Sequence, residues 1–295
     1  MKIPRRSLFL FLYACLACGL GSPGFCAQYT HRDRFTLKSE DRKVTYVVNV
    51  WLPSGYKAAS HPFPLLLMLD GEYAFNSAIQ LSEHLQRNGE VAEFIVVGLS
   101  YDVGFGPPLA KERTRDFTPP VDAMGSIQKT ETAYYRFIRD RLLPQLHKRY
   151  RIDPAQRALW GYSLSGSFTA WLDYFDPALF AHSIVASGNL IGFGIIPKLF
   201  QGQIFNAPGQ GVRRVLISYD ASEIPDPKIV EDGRKLLARK EVFPGHEIRL
   251  LLTQGESHAS SWFASLPASL RFVFGPGNGG RQNSESKAPA HDTHP

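Results

Sequence analysis

Residues 159–168 read LWGYSLSGSF, and this stretch predicts a strand that passes through a sharp turn directly into a helix. Ser163 stands at the centre of the turn, with Gly161 two positions before it. This pattern is typical of a nucleophile elbow, which holds a serine hydroxyl exposed where a strand meets a helix. One position departs from it, because Ser165 occupies the place of a glycine and Gly166 follows one residue late. We predict that Ser163 is the nucleophile of a hydrolase; a structural turn serine is the alternative.

Short apolar runs alternate with helix-like segments on both sides of this elbow. We predict strands at 35–38, 44–51, 64–69, 94–99, 158–160, 180–186, 214–219 and 247–252. We predict helices at 75–85, 131–150, from the elbow to 172, near 196, at 229–239 and at 260–274, with loops over 101–129 and 188–211. Continuous apolar runs are typical of strands buried on both faces, and their alternation with helices indicates βαβ units. The sequence therefore predicts an α/β protein with a mainly parallel, doubly wound sheet covered by helices on both faces.

The two ends of the chain differ in composition from this central part. In residues 1–27, three basic side chains precede an apolar stretch at 8–20, and small residues follow up to Ala27. Such a segment is too short for an ordinary spanning helix and is typical of a secretory signal. Residues 275–295 lack apolar periodicity and predict a disordered tail, so residues 28–274 are expected to form the folded domain. We expect a periplasmic or secreted protein without a membrane span, and an uncleaved anchor is the alternative.

All three cysteines, Cys15, Cys18 and Cys26, lie in the signal-like segment. A chain cleaved after Ala27 would hold no disulfide and would depend on its core for stability. A partial lipoprotein-like match that ends at Cys15 leaves a lipid anchor open. Cleavage would also remove three basic and no acidic residues, which lowers the formal net charge from +6 to +3. This charge is too small to favour a nucleic-acid partner, and we expect a monomer that binds a small-molecule substrate.

A serine nucleophile needs a base, and the base needs a carboxylate to orient it. His258 is the predicted base, because it follows a predicted strand and therefore lies at the carboxyl edge of the sheet with the elbow. The acid is expected between Ser163 and His258 in chain order, as in the α/β-hydrolase arrangement. Three carboxylates, Asp220, Glu223 and Asp226, follow the strand predicted at 214–219. Glu223 is the first candidate and Asp226 the second, whereas Asp220 can form the turn itself.

Two backbone N–H groups are expected to bind the oxyanion that forms during catalysis. One belongs to Leu164, directly after the nucleophile. The other is expected from Gly71 or Glu72, in the segment 69–73 that follows the third predicted strand. An ordinary turn at the end of that strand is the alternative. This machinery implies no metal and no organic cofactor.

With these residues in place, the chain resembles the esterase branch of the α/β hydrolases over residues 30–275. It is most similar to the esterases that open trilactone siderophores of the enterobactin type. The resemblance lies in the segments 68–75, 113–119, 161–166 and 256–258. The arginine-rich segment 113–119 is the most specific, because general hydrolase chemistry does not require it. The chain departs from the family at Ser165, and also at Asp220, where related chains tend to have glycine before their acid.

The resemblance implies an α/β-hydrolase fold, hydrolysis of carboxylic esters and a substrate pocket near Arg113 and Arg115. A guanidinium can bind an anionic or catecholate oxygen through paired donors. Alternatively, either arginine pairs with Asp116 or Glu112 and holds its own loop in place. We therefore expect an exported serine esterase that acts through an acyl-enzyme, with a trilactone siderophore as the substrate. A generic carboxylesterase, an acyltransferase of the same fold and a non-catalytic binding protein are the alternatives.

Overall fold

The computed structural model describes residues 32–200, 212–224, 226–239 and 241–276. The predicted signal at 1–27 with its cysteines, part of the predicted loop at 188–211 and all but the start of the predicted tail lie outside these residues. The strands are β1 (Arg32–Lys38), β2 (Thr45–Trp51), β3 (Phe63–Met68), β4 (Ile95–Tyr101), β5 (Ile152–Tyr162), β6 (His182–Ala186), β7 (Arg213–Asp220) and β8 (His246–Thr253). The helices are α1 (Gly71–Arg87), α2 (Pro107–Phe117), α3 (Ala133–Arg136), α4 (Leu143–Arg149), α5 (Leu164–Phe175), α6 (Ile195–Phe200), α7 (Pro227–Leu237) and α8 (His258–Phe274). Within the described part of the chain, no helix is both long and apolar enough to cross a bilayer.

The eight strands form one sheet in the order β1-β2-β4-β3-β5-β6-β7-β8. The pairs β1–β2 and β2–β4 are antiparallel, and every other neighbouring pair is parallel. The predicted mainly parallel sheet is therefore confirmed. Because parallel strands are joined by crossover helices, their carboxyl ends all lie at one edge.

Two apolar layers cover the faces of the sheet, which explains the continuous apolar runs. In β3, Leu65 and Leu67 pack into one layer, and Leu66 and Met68 pack into the other. Successive side chains of a strand point to opposite faces, so a strand buried on both faces has no polar alternation. Helices α1 and α8 contribute to one layer, and helices α2 to α5 and α7 contribute to the other.

The loop predicted over 101–129 is wrong in part, because it contains helix α2. Prolines occupy the first two positions of this helix, where a missing N–H costs no intrahelical hydrogen bond. Only Leu109, Asp116 and Phe117 are buried along its eleven residues. With so few buried residues, the segment has no clear helical periodicity in its sequence. Its helical conformation therefore depends on tertiary contacts.

The long helix predicted at 131–150 is interrupted by a wider turn at Phe137–Leu142, which has π-helical hydrogen bonds and joins α3 to α4. Pro144 follows this turn as the second residue of α4. In a regular α-helix, a proline ring clashes with the carbonyl of the residue four positions earlier, which here is Asp140. Asp140 lies in the wider turn, so the turn relieves this clash. Pro144 is thus accommodated by a local change of helical pitch, and the chain stays helical on both sides.

Candidate active site

Ser163 lies at the turn between β5 and α5, at the carboxyl edge of the sheet. Its φ of 57° and ψ of −117° are a strained combination for a residue with a side chain. The strand register explains how the turn is held, since Tyr162 lies opposite Ala186 of β6 and the Ser163 N–H donates to the Ala186 carbonyl at 2.8 Å. The elbow geometry expected of residues 159–168 is present.

His258 contacts both of the other residues predicted to act with it. Its Nε2 lies 2.9 Å from Ser163 Oγ, and its Nδ1 lies 2.5 Å from Glu223 Oε1. With the proton on Nδ1, the ring donates to Glu223 and accepts the Ser163 hydroxyl proton on Nε2. His258 is the first residue of α8, and its side chain is about half exposed, so it borders both the protein interior and solvent. The structure therefore brings Ser163, His258 and Glu223 together in the order nucleophile, base and acid.

The second carboxylate oxygen of Glu223 holds this side chain in place. Oε2 accepts hydrogen bonds from the Asp220 N–H and the Ser187 hydroxyl, both at 2.8 Å. Burial raises the pKa of Glu223, but the hydrogen bonds from His258, Asp220 and Ser187 outweigh it and lower the pKa below its usual value. Glu223 is thus held as a carboxylate, the form that orients an imidazole and stabilises its cation.

Asp226 and Asp220, the other two carboxylates of this loop, have local structural contacts. Asp226 accepts from the Lys228 N–H at 2.9 Å and caps α7. Asp220 caps the 3₁₀ turn Ala221–Glu223. Hydrogen bonds to Asp220 from Ser222, Glu256 and Thr253 lower its pKa to about 2. Of the three carboxylates, Glu223 is the one that the structure places against His258.

We expect Glu223→Gln to lower kcat by about 10³-fold, because a neutral amide can neither stabilise the imidazolium nor enforce the Nδ1–H tautomer. Asp226→Asn is the matched control, since an asparagine still caps α7. Steady-state kinetics on one ester would compare the two variants. Equal losses, or full activity in Glu223→Gln, would contradict the assignment of Glu223.

Ser187 is a site residue that the sequence analysis did not identify. It follows β6 directly and has a φ of 46°, like Ser163 after β5. Its hydroxyl lies 2.8 Å from Glu223 Oε2 and 2.8 Å from Ser261 Oγ, so it links the acid to α8. A serine followed by glycine at the carboxyl end of a buried strand was the available signal.

Leu164, Gly71 and Glu72, the predicted oxyanion donors, begin two helices at the carboxyl edge of the sheet. Leu164 is the first residue of α5, and Gly71 and Glu72 are the first two residues of α1. The first N–H groups of a helix have no acceptor within the helix. A side chain at Gly71 would place its Cβ 2.6 Å from Ser100 Oγ, so a glycine lets α1 pack against β4. The donor roles of these three N–H groups stay predictions.

The Glu72 carboxylate is turned toward β4. One of its oxygens accepts a hydrogen bond from the Tyr101 N–H, and the other is buried without a hydrogen-bond partner. Burial raises the pKa of Glu72 from its usual 4.5 to about 7. This side chain should therefore make stability depend on pH.

We expect Glu72→Gln to remove a pH dependence of stability between about pH 4.5 and 7. Over that range the folded chain keeps a proton that the unfolded chain has lost, so the free energy of unfolding falls as pH rises. The total loss is at most about 3 kcal/mol and is absent below pH 4.5. Urea denaturation from pH 4 to 8 would measure it, with Glu83→Gln on the same helix as the control. Parallel pH profiles for wild type and Glu72→Gln would contradict the prediction.

Ser165 connects the elbow to Asp70, the residue that precedes α1. Its buried hydroxyl donates to Asp70 Oδ2 at 2.7 Å and accepts from the Tyr162 N–H at 2.8 Å. The extra hydroxymethyl group therefore makes polar contacts beside the nucleophile. Gly166, one residue later, lets the start of α5 pack closely against β6, since a Cβ there would lie 2.8 Å from the Ala186 carbonyl oxygen.

Arg113 and Arg115, the predicted substrate-binding residues, are both engaged by carboxylates. Arg113 Nε and Nη2 donate to the two oxygens of the fully buried Asp70 at 2.7 and 2.9 Å. Arg115 donates through two nitrogens to Asp116, both at 2.7 Å, and through a third to Glu112. Arg115 thus pairs with Asp116 and Glu112, as the alternative in the sequence analysis states. Arg113 pairs instead with Asp70. Substrate contact by either arginine stays a prediction.

In the described residues, no group of three or more His, Cys, Asp or Glu side chains is arranged to hold a metal ion.

The chain is similar in sequence and in fold to several known proteins. A family model described as "Putative esterase" matches residues 39–263. The ferri-bacillibactin esterase BesA of Bacillus subtilis (strain 168) is 21% identical over 258 residues, with 81% of this chain and 88% of that protein covered. The siderophore hydrolase EstB from Aspergillus nidulans has a TM-score of 0.65 at 17% identity and covers 85% of this chain and 98% of its own. The enterobactin hydrolase IroE in complex with DFP has a TM-score of 0.63 at 18% identity, with coverages of 82% and 94%. The α/β-hydrolase fold is confirmed by these likenesses.

Proposed function

The chain belongs to the esterase family whose model matches residues 39–263, and from that membership we propose that it hydrolyses carboxylic esters through an acyl-enzyme on Ser163. The observation that carries the proposal is the distance of 2.9 Å between His258 Nε2 and Ser163 Oγ. A serine hydroxyl within hydrogen-bond reach of an imidazole can lose its proton as it attacks.

The proposed reaction has two halves that use the same groups. Ser163 Oγ attacks the ester carbonyl carbon while His258 Nε2 takes its proton, and Glu223 stabilises the imidazolium. The developing oxyanion would accept hydrogen bonds from Leu164 N–H and from Gly71 or Glu72 N–H. His258 then protonates the departing alcohol, and a water deprotonated by His258 releases the acid in the second half.

We propose a catecholate trilactone siderophore as the substrate, and a small aryl or acetyl ester as the alternative. The support is the similarity to proteins named as esterases or hydrolases of ferri-bacillibactin, siderophores and enterobactin. Export belongs to the same proposal and is supported by the signal-like composition of residues 1–27. Mass spectrometry of the linear product would detect ring opening. Rapid hydrolysis of p-nitrophenyl acetate without any ring opening would favour the generic esterase.

A fluorophosphonate probe tests the nucleophile independently of the substrate. We expect stoichiometric labelling of the wild type and of Ser165→Ala, and none of Ser163→Ala, because Ser163 is the one of these two serines that lies against His258. Intact-mass spectrometry would count the adducts, and circular dichroism would verify that each variant is folded. Unchanged labelling of Ser163→Ala would overturn the proposal.

A further inference from the structure

A cavity of about 240 Å³ lies beside His258, between the segment after β6, the end of β7 and the start of α7. His258 and Glu223 form part of its wall. The rest is mostly apolar and includes Leu190, Ile191, Ile196, Tyr219, Ile224 and Ile229. Ile191 is 62% exposed and Ile229 is 38% exposed, so large apolar side chains line a space that solvent can enter. None of the described residues that line this cavity is a lysine or an arginine.

We propose that this cavity binds the alcohol part of the ester, and that it selects a compact, uncharged, apolar group. The assignment rests on the proposed esterase activity with a small aryl or acetyl ester as the substrate, and it adds the location and chemistry of the alcohol half of that ester. Of the three proposed catalytic groups, the proton donor His258 and its acid Glu223 line the cavity. The alcohol must leave next to its proton donor, whereas the acyl part stays bonded to Ser163.

The chemistry of the first half-reaction explains this placement. When the tetrahedral intermediate collapses, the bond between the former carbonyl carbon and the alcohol oxygen breaks, and both electrons go to that oxygen. His258 Nε2–H donates its proton to the same oxygen and becomes neutral again. The leaving oxygen must therefore lie within hydrogen-bond reach of Nε2, which brings its substituent next to the cavity.

The volume and charge of the cavity define what it can hold. An apolar cavity of about 150 Å³ in another protein binds benzene, so about 240 Å³ accepts one aromatic ring with a short linker. It is smaller than the roughly 300–1,000 Å³ that enclose a drug-sized ligand, so it would take one group of a larger ester. An anionic group would be repelled by the Glu223 carboxylate, and none of the described lining residues is a lysine or an arginine that would offset this repulsion.

Two isomeric esters test the assignment, because benzyl acetate and methyl phenylacetate carry the same benzyl group on the alcohol side and on the acyl side. Ile229→Trp would fill the cavity from the partly exposed face of α7. Val212→Trp is the matched control, since Val212 is 46% exposed and precedes β7 at the opposite edge of the sheet. We expect Ile229→Trp to lower kcat/KM about tenfold for benzyl acetate and less than about twofold for methyl phenylacetate. We expect Val212→Trp to change neither.

The charge requirement is tested with benzyl acetate and its 4-carboxylate. We expect the wild type to have about tenfold lower kcat/KM for the carboxylate, because the added anion would lie close to Glu223. Equal turnover of the two, equal losses on both isomers in Ile229→Trp, or a selective loss on methyl phenylacetate would overturn the assignment. Retained hydrolysis of methyl phenylacetate shows that the variant is folded.

The experiments distinguish failure of the cavity assignment from failure of the esterase proposal. A wild type that is labelled at Ser163 and hydrolyses both isomers, without an isomer-specific loss in Ile229→Trp, overturns the cavity assignment alone. A wild type that is neither labelled nor active on any ester overturns the esterase proposal itself.

Discussion

Replacement of His258 by alanine is expected to lower kcat for an unactivated ester such as methyl phenylacetate by about 10⁴-fold or more. His258 Nε2 lies 2.9 Å from Ser163 Oγ, and among the described contacts of that hydroxyl it supplies the general base. Without it, Ser163 must attack as a neutral hydroxyl, and the departing alcohol must leave without a proton donor. Both half-reactions use this ring, so KM should change far less than kcat.

Steady-state kinetics at one pH would measure the loss, with His84→Ala as the control. His84 is exposed on α1 and makes its hydrogen bonds to Asn88, so its removal should leave kcat within about twofold of the wild type. A His258→Ala protein with more than a tenth of wild-type activity would show that His258 is not the base. Wild-type protein without esterase activity would instead favour a non-catalytic binding protein on this scaffold.

Asp70→Asn is expected to lower the free energy of unfolding by about 3 kcal/mol, because it leaves the Arg113 guanidinium without a charged partner in a largely buried position. Asp70 is fully buried, receives two hydrogen bonds from Arg113 and receives a third from Ser165. Asparagine tolerates the left-handed backbone that Asp70 adopts at a φ of 56°, so the substitution tests the charge and not the turn. Urea denaturation would show a lower midpoint at an unchanged m value.

A double-mutant cycle with Arg113→Met isolates the ion pair from the general effect of each substitution. Coupling of at least about 1 kcal/mol is expected for residues in direct contact, and additive effects would contradict the network. Asp41→Asn is the control for loss of an exposed carboxylate, since Asp41 pairs with Lys43 at the surface at 3.6 Å. Asp41→Asn should therefore shift the urea midpoint far less than Asp70→Asn does.

The regular elements show what could be predicted from local pattern. The uninterrupted apolar run of β3 indicated a strand buried on both faces, and the structure divides it between two apolar layers. Helix α2 was not predicted, because its sequence lacks such a pattern. It buries few residues and begins with two prolines, so its sequence has no clear period, and packing against α5 and α3 stabilises it.

Some features of the candidate site could likewise be predicted from the sequence, and others depend on the folded structure. Chain order and the parallel sheet were enough to predict that Ser163, His258 and a carboxylate meet at one edge. Glu223 and Asp226 are only three residues apart, and the choice between them depends on the 3₁₀ turn Ala221–Glu223, which directs Glu223 to His258. The Ser187–Gly188 pair indicated a turn after a buried strand but no partner, and the register of β6 against β7 brings Ser187 beside Glu223.

By itself, the sequence determined the fold class and the edge of the sheet at which the chemistry-bearing residues collect, because hydrophobic periodicity and strand order are local or sequential properties. Only the tertiary structure decided which partners these residues have. Arg113 pairs with Asp70, 43 positions away, and not with the adjacent Asp116 or Glu112. Ser165, first an irregularity in the elbow, donates to the same Asp70 across 95 positions. Buried charges and hydroxyls form hydrogen bonds with the groups that packing brings within about 3 Å. The number of residues between two such groups does not predict their distance in the folded protein.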